Sequence, residues 1–348
     1  MTQDFAAEPL DPVFESERAF AMCPGVSIVI PTFNRANTLP DAISSVLEQD
    51  WPAIEIVVVD DGSTDETAHL LQAFATRNPD IVRVISQTNH GVSFARNAGI
   101  QAAKYDFIAF LDSDDIWLPT KLRTQMAQFR RFPDLVLTFT GYTLDGPGGG
   151  QVVSLENWRP DQVAILEALL TGCCITTSTV VARRDALVSA GLFDGTLRCC
   201  EDHDLWLRMA LGDGRIGYLP ATNTRMRTQQ ISLSSNQSDV ARSTELVFER
   251  LFASGTLPTP IQARSSFYLS RCYLNSACRH LEQGNGRASI ESLWRASKIR
   301  PVSVRPGWVR IAASAVATAV RKRDLVRYSA MAHRHDEHAQ AGHEPSEP

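Results

Sequence analysis

The chain has 348 residues, 44% of them apolar and 21% charged, with a formal net charge of −5. Such a composition supports a buried core and excludes wholesale disorder, and the length fits about two domains at roughly 150 residues each. The negative balance argues against a nucleic acid partner, and no apolar run reaches the ~18–20 residues that span a bilayer.

Residues 1–24 are acidic, show no apolar period and read as a disordered tail. They also lack the basic start and apolar stretch of a secretory signal, so the expected compartment is the cytosol. Val26-Ser27-Ile28-Val29-Ile30 is a strand stopped by Pro31, and Leu39 to Leu47 has the apolar spacing of an amphipathic helix. Ile54 to Val59 is a second strand. Ser63 and Glu66 have the spacing of a capping box before a helix that ends near Arg77. Val82–Ile85 reads as a strand, Val92–Ala103 as a helix and Phe107–Leu111 as a fourth strand. Strands alternating with helices of this length predict βαβ units and a mainly parallel sheet. Polar clusters follow strands one, two and four, at the carboxyl edge where open α/β sheets hold ligands; a nucleotide-sized ligand fits that edge.

Further on, Lys121–Phe132 reads as a helix and Leu135–Phe139 as a strand. The glycine-rich run from Asp145 to Gly150 reads as a hairpin turn, because no Gly-Lys-Ser/Thr follows it. Thr176–Val181 is expected as a strand, Glu201–Leu211 as a helix and Arg215–Leu219 as a short strand. The chain contains seven cysteines, an odd number that fits reduced thiols. The adjacent pairs Cys173-Cys174 and Cys199-Cys200 lack the spacing of zinc ligands and read as structural thiols rather than a metal or redox site. From Ser238 the pattern turns helical, and Ala263–Pro301 is spaced like one tetratricopeptide-type hairpin. Lys298–Arg334 carries nine Lys/Arg against one Asp around an apolar stripe that includes Trp308, Ile311, Ala315 and Val316. Peripheral membrane contact suits that basic helix, and so does packing on its own domain with a solvated basic face. The last residues form a second disordered tail, whose His333, His335 and His338 are weak metal candidates.

The strongest chemical signal is Asp112-Ser113-Asp114-Asp115. Three carboxylates in four positions repel one another unless positive charge sits among them, and a hard divalent cation supplies it economically. A capped helix start before Ile116-Trp117-Leu118 explains one of these aspartates and not three. Asp60-Asp61-Gly62 closes the second strand; Asp61 suits a base or ribose, and Gly62 a tight turn. In Pro31-Thr32-Phe33-Asn34-Arg35, Phe33 offers a stacking face and Arg35 a phosphate-binding cation. Arg96 lies in a small-residue run, Gly91 to Gly99, that would let it reach a ligand. Glu201-Asp202 at a helix start is favoured by the dipole, and either carboxylate is a candidate general base.

In order and spacing these segments resemble the family 2 glycosyltransferases, inverting enzymes of the GT-A fold. The matching pieces are VSIVIPTFNR, IEIVVVDDGSTDET, GVSFARNAGI, DFIAFLDSDDIWLPTKL and EDHDLWLRMA. The resemblance implies a GT-A domain over residues 25–235; the residue pattern beyond it predicts a helical extension over 236–334 and a tail over 335–348. The resemblance also implies that Pro31, Thr32, Phe33, Arg35, Asp60, Asp61, Arg96, Asp112 and Ser113 bind a UDP- or dTDP-sugar. Asp114 would ligate Mn²⁺ or Mg²⁺, and Asp202 would be the catalytic base of a single-step hexosyl transfer. Glu201, Asp115 and Arg227 are secondary candidates. Many relatives carry a histidine where this chain has Arg227; an arginine there binds diphosphate directly and lowers the expected dependence on metal. The implied acceptor is a hydroxyl of a glycan, a lipid-linked sugar or a small molecule, in surface glycan or glycolipid assembly. The rivals are a sugar-nucleotidyltransferase, for which the loop after strand one lacks a basic glycine-rich cradle, and a non-catalytic GT-A-like scaffold.

Overall fold

The computed structural model describes residues 23–145, 150–155, 162–227 and 236–300. These fall into two compact units that divide between residues 227 and 236. The acidic N-terminal tail, the tip of the glycine-rich turn, most of the basic C-terminal segment and the histidine-rich tail lie outside the described residues.

The first unit opens with β1 (Val26–Thr32), α1 (Leu39–Leu47), β2 (Ile54–Asp60), α2 (Thr67–Arg77), β3 (Val82–Ser86), α3 (Val92–Ala102) and β4 (Phe107–Phe110). It continues through β5 (Ile116–Trp117), α4 (Lys121–Arg131), β6 (Leu135–Asp145), β7 (Gln151–Val153), α5 (Gln162–Thr171), a 3₁₀ turn (Thr177–Thr179), β8 (Val181–Arg183), α6 (Arg184–Ser189), α7 (Glu201–Ala210) and β9 (Arg215–Arg227). One sheet runs in the order β3-β2-β1-β4-β8-β6-β9-β5, with β7 paired to β6. Strands β3, β2, β1 and β4 are parallel, and β8 joins them antiparallel. The far half is mixed, with β6 and β9 parallel and the other pairings antiparallel.

Alternation along β2 explains the layering. Ile56 and Val58 face a core shared with Leu39, Ile43 and Val46 of α1 and with Leu122, Met126 and Phe129 of α4. Val57 and Val59 face the opposite side, where Ala95 of α3 packs. Gly99 permits that close packing, since a Cβ there would lie 2.4 Å from Val29 Cγ1. Both faces of the parallel half are therefore covered, which accounts for its continuous apolar strands. Because β1 has β2 on one side and β4 on the other, the carboxyl ends of β1 and β4 flank the point where strand order reverses.

Several expected elements differ in the structure. Thr176–Val181 is a 3₁₀ turn followed by β8, because the Thr179 N–H and hydroxyl both bond back to the Thr176 carbonyl and close a local turn. Strand β9 passes through Pro220 and ends at Arg227; the register shift between Thr140 and Gly141 of β6 absorbs the proline. Ile116-Trp117 pairs with Arg225 and Thr224 as a short strand, so the capped helix start weighed as the alternative for the aspartates does not form. The capping box does not form. Ser63 Oγ accepts from the Asn34 N–H, and Asp65 accepts from the Thr67 N–H at the start of α2.

The second unit contains α8 (Gln237–Ala253), α9 (Thr259–Gln262), α10 (Ser265–Glu282) and α11 (Gly286–Ile299). Asn236 and Asn285 cap α8 and α11 through side-chain oxygens. Gly284, at φ +69°, makes the reversal between α10 and α11. Tyr268, Cys272 and Ala277 of α10 and Ala296 of α11 are buried as a helical hairpin requires. No helix among the described residues is long and apolar enough to cross a membrane.

Candidate active site

The loops after β1 and β2 are zipped together by short polar side chains. Asn34, at φ +52°, donates its N–H to Ser63 Oγ, and its Oδ1 accepts from the Thr64 N–H. The Arg35 N–H donates to Thr67 Oγ1. Phe33, 43% exposed, is thereby presented at the carboxyl edge, and Pro31 and Thr32 beneath it are buried. The Thr32 hydroxyl is buried with no hydrogen-bond partner among the described residues. A buried hydroxyl seldom stays unsatisfied, so this one marks a wall that a ligand or water completes.

Asp60 and Asp61 are both buried. Asp60 accepts from the Ser63 N–H at 3.0 Å. The Asp61 carboxylate accepts from Gln87 Nε2 at 2.7 Å, from the His90 N–H at 2.9 Å and from the Gly91 N–H at 2.8 Å. It therefore fastens the β3–α3 loop to the end of β2. Gly62 has φ +81°, and a Cβ there would meet the Asn89 nitrogen at 3.0 Å, so the tight turn needs glycine.

The acidic segment after β4 meets the start of α7 through Arg96 of α3. Arg96 Nη2 donates to Asp112 Oδ1 at 2.8 Å, and Nη1 donates to Glu201 Oε1 at 2.7 Å. The Arg96 side chain is 5% exposed. Burial works against its charge, but Asp112 and Glu201 outweigh it and raise its pKa. Both terminal nitrogens are thus engaged within the protein, so Arg96 acts here as the counter-ion that joins two acidic segments.

Ser178, in the 3₁₀ turn, accepts from the Asp112 N–H at 3.0 Å and donates to Asp115 Oδ2 at 2.6 Å. Burial, then the neighbouring Asp112, holds the Asp115 carboxyl well above the usual range. The same two causes raise Asp114, against which Arg35 and Arg227 pull down. Ser113, which separates Asp112 from Asp114 along the chain, is buried. At the end of β9, Arg227 donates its main-chain N–H to Asp115, and its guanidinium pairs with Asp41 at 2.5 Å.

Helix α7 begins after Cys200, whose φ of +61° turns the chain sharply. The strain of that left-handed cysteine fits a residue whose neighbours carry function. Asp202 is half-buried; its Oδ2 accepts from Thr177 Oγ1 at 3.1 Å and its Oδ1 from the His203 N–H at 2.7 Å. Burial raises its pKa against the pull of Arg96. His203 points elsewhere and is buried, with Nε2 against the Leu169 carbonyl at 2.8 Å.

The structure thus gathers Asp112, Asp114, Asp115, Arg96, Glu201, Asp202, Arg35 and Arg227 around one acidic centre. It sets Pro31, Thr32, Phe33, Asp60 and Asp61 along the adjoining edge. Thr177, Ser178 and Gln87 escaped sequence reasoning; the run Thr176-Thr177-Ser178-Thr179 was the available signal, a hydroxyl-rich stretch read as a plain strand. Among the described residues no three His, Cys, Asp or Glu side chains form a ready cage for an ion. Asp112 is tied to Arg96 and Asp115 to Ser178, so Asp114 is the carboxylate of the three that could hold a cation. That set fits a cation held by one or two carboxylates and completed by substrate phosphates.

The family described as glycosyl transferase family 2 matches residues 27–189. The putative teichuronic acid biosynthesis glycosyltransferase TuaG of Bacillus subtilis is 30% identical over 66% of this chain and 88% of its own length. The uncharacterized glycosyltransferase RP339 of Rickettsia prowazekii is 31% identical over 53% of this chain, which spans 58% of that protein. Among solved structures, S. aureus TarS 1-349 in complex with UDP-GlcNAc superposes with a TM-score of 0.62 at 20% identity, covering 84% of this chain and 89% of that one. The mannosyltransferase PcManGT of Pyrobaculum calidifontis, in complex with GDP-Man and Mn²⁺, gives 0.55 at 17% identity, covering 87% and 88%. Both share the mixed sheet with flanking helices found here. The chain belongs to glycosyl transferase family 2, on a GT-A fold.

Proposed function

We propose that the protein transfers one hexosyl group from a UDP- or dTDP-sugar to an acceptor hydroxyl, with inversion at the anomeric carbon. The observation that carries this reading is the Asp112–Arg96–Glu201 bridge, which fixes a carboxylate cluster suited to a diphosphate beside a candidate base. The UDP-GlcNAc bound by TarS supports a UDP-sugar, the GDP-Man bound by PcManGT supports only the wider class of nucleotide-sugars, and the name of TuaG supports surface glycan assembly as the setting.

The donor base lies against Phe33, with Thr32 and Asp61 on its polar side. Arg35 and Arg227 face the diphosphate across Asp114. When bound there through Asp114, Mn²⁺ or Mg²⁺ would offset the charge that builds on the departing diphosphate. Asp202 accepts the acceptor's proton as the hydroxyl oxygen bonds to the anomeric carbon, and the bond to the diphosphate breaks with its electron pair. Because burial raises its pKa, Asp202 is a stronger base than a free aspartate, although it must be deprotonated to act.

The test is a panel of UDP- and dTDP-sugars assayed for nucleotide release, with and without chelator. The wild type releases nucleotide from at least one donor, and Asp202→Asn loses about 10²–10⁴-fold in kcat. Release from no donor, or wild-type turnover by Asp202→Asn, would overturn the reading.

A further inference from the structure

The 3₁₀ turn Thr177–Thr179 touches both halves of the candidate site, and successive residues face different halves. Ser178, fully buried, bonds the Asp112 N–H and the Asp115 carboxylate. Its carbonyl accepts from Trp117 Nε1 at 2.8 Å, which fixes the turn to β5. Thr177, also buried, donates its hydroxyl to Asp202. Behind the turn, the Thr179 carbonyl accepts from Gln125 Nε2 at 3.0 Å and from Lys121 Nζ at 3.3 Å. Helix α4 and strand β5 therefore hold the turn in place, while its hydroxyls reach forward into the site.

We propose that this turn is a positioning bracket for the transfer reaction: Ser178 sets the diphosphate-facing carboxylates, and Thr177 sets and tunes the base Asp202. The inference rests on the glycosyl-transfer reading above and assigns roles that reading does not need. Thr177 donates to the charged form of Asp202, so it favours deprotonation, and losing that bond favours the neutral acid. The other groups acting on Asp202 are Arg96 of α3, Asp112 after β4, Cys173 after α5 and the adjacent Glu201. A Thr177 substitution leaves all four side chains in place.

Two kinds of variant separate a bracket from a generally structural turn. In Thr177→Val and Thr177→Ala, kcat falls on the order of 10-fold and the acid limb of the pH–rate profile moves to higher pH, while nucleotide affinity stays at the wild-type level. Thr177→Ser, which keeps the hydroxyl, restores the wild-type limb. In Ser178→Ala, calorimetric affinity for UDP or dTDP falls and the acid limb stays in place. Thermal melts confirm which variants fold, and with three substitutions at Thr177 one that packs poorly does not end the test. If the wild type releases no nucleotide, the glycosyl-transfer reading fails. If the wild type transfers sugar and Thr177→Ala keeps the wild-type limb, or both sites lower kcat and affinity in parallel, the bracket is wrong and the enzyme assignment stands.

Discussion

Arg96 carries the heaviest electrostatic duty in the site. It is a nearly dry guanidinium between Asp112 and Glu201, with Asp202 also within its field. Removing one member of a buried ion cluster strands the others. Arg96→Met therefore lowers stability at pH 7.5 by ~3–5 kcal/mol, towards the low end because Asp112 keeps 33% of its side chain in water. Without Arg96 the buried carboxyls of Glu201 and Asp202, which its charge pulls down, hold protons more readily when folded than when unfolded. The penalty is then smallest at acid pH and grows as pH rises through their raised folded values. Urea denaturation at pH 5 and 7.5 checks this, and an equal loss at both would contradict it. Composition and spacing made the Asp112–Asp115 cluster legible as a place that needs positive charge. That Arg96 supplies part of it was not legible, because pairing across 16 and 105 positions depends on how α3 packs on the sheet.

Elements set the angles at which these side chains meet. The alternation of β1–α1–β2–α2–β3–α3–β4 was readable because β1, β2 and β4 are buried, mostly apolar runs and the helices between the strands carry their apolar residues at helical spacing. The far half was harder to read. Pro220 breaks the pattern of β9 where a bulge in fact accommodates it, and the hydroxyls of the 3₁₀ turn serve the site instead of a sheet face. Helix α4 shows the same priority. Its Lys121 is wholly buried, over the Trp117 ring at 4.4 Å and hydrogen-bonded to Gln125, with burial pushing its pKa well down. Between that lowered value and the ordinary ~10.4, the unfolded chain binds a proton that the folded chain lacks. The contribution of Lys121 to stability therefore increases as pH rises through this window. Replacing it by methionine, of similar length, removes that increase. Urea midpoints of wild type and Lys121→Met between pH 7 and 9.5 should diverge in slope, with the wild type gaining relative to the variant; parallel curves would contradict the assignment.

Across the whole molecule, the order of motifs along the chain was the most legible feature. The residues that the family resemblance singles out lie together along one carboxyl edge of the sheet. Their placement has a physical basis, since strand order reverses beside β1 and leaves the loops after β1, β2 and β4 free to face one ligand. The α8–α11 helices form a unit whose hairpin was foreseen from residue spacing and whose inner faces are buried accordingly.

A metal-assisted transfer from a nucleotide-sugar requires the Asp112–Asp115 segment to bind a nucleoside diphosphate together with a divalent cation. Titrating UDP and dTDP calorimetrically into the full chain, with Mn²⁺ and with chelator, measures that linkage directly. Mn²⁺ should tighten binding of at least one nucleotide about 10-fold or more in the wild type and leave Asp114→Ala unaffected. Equal nucleotide affinity in both proteins, with or without the ion, would contradict it.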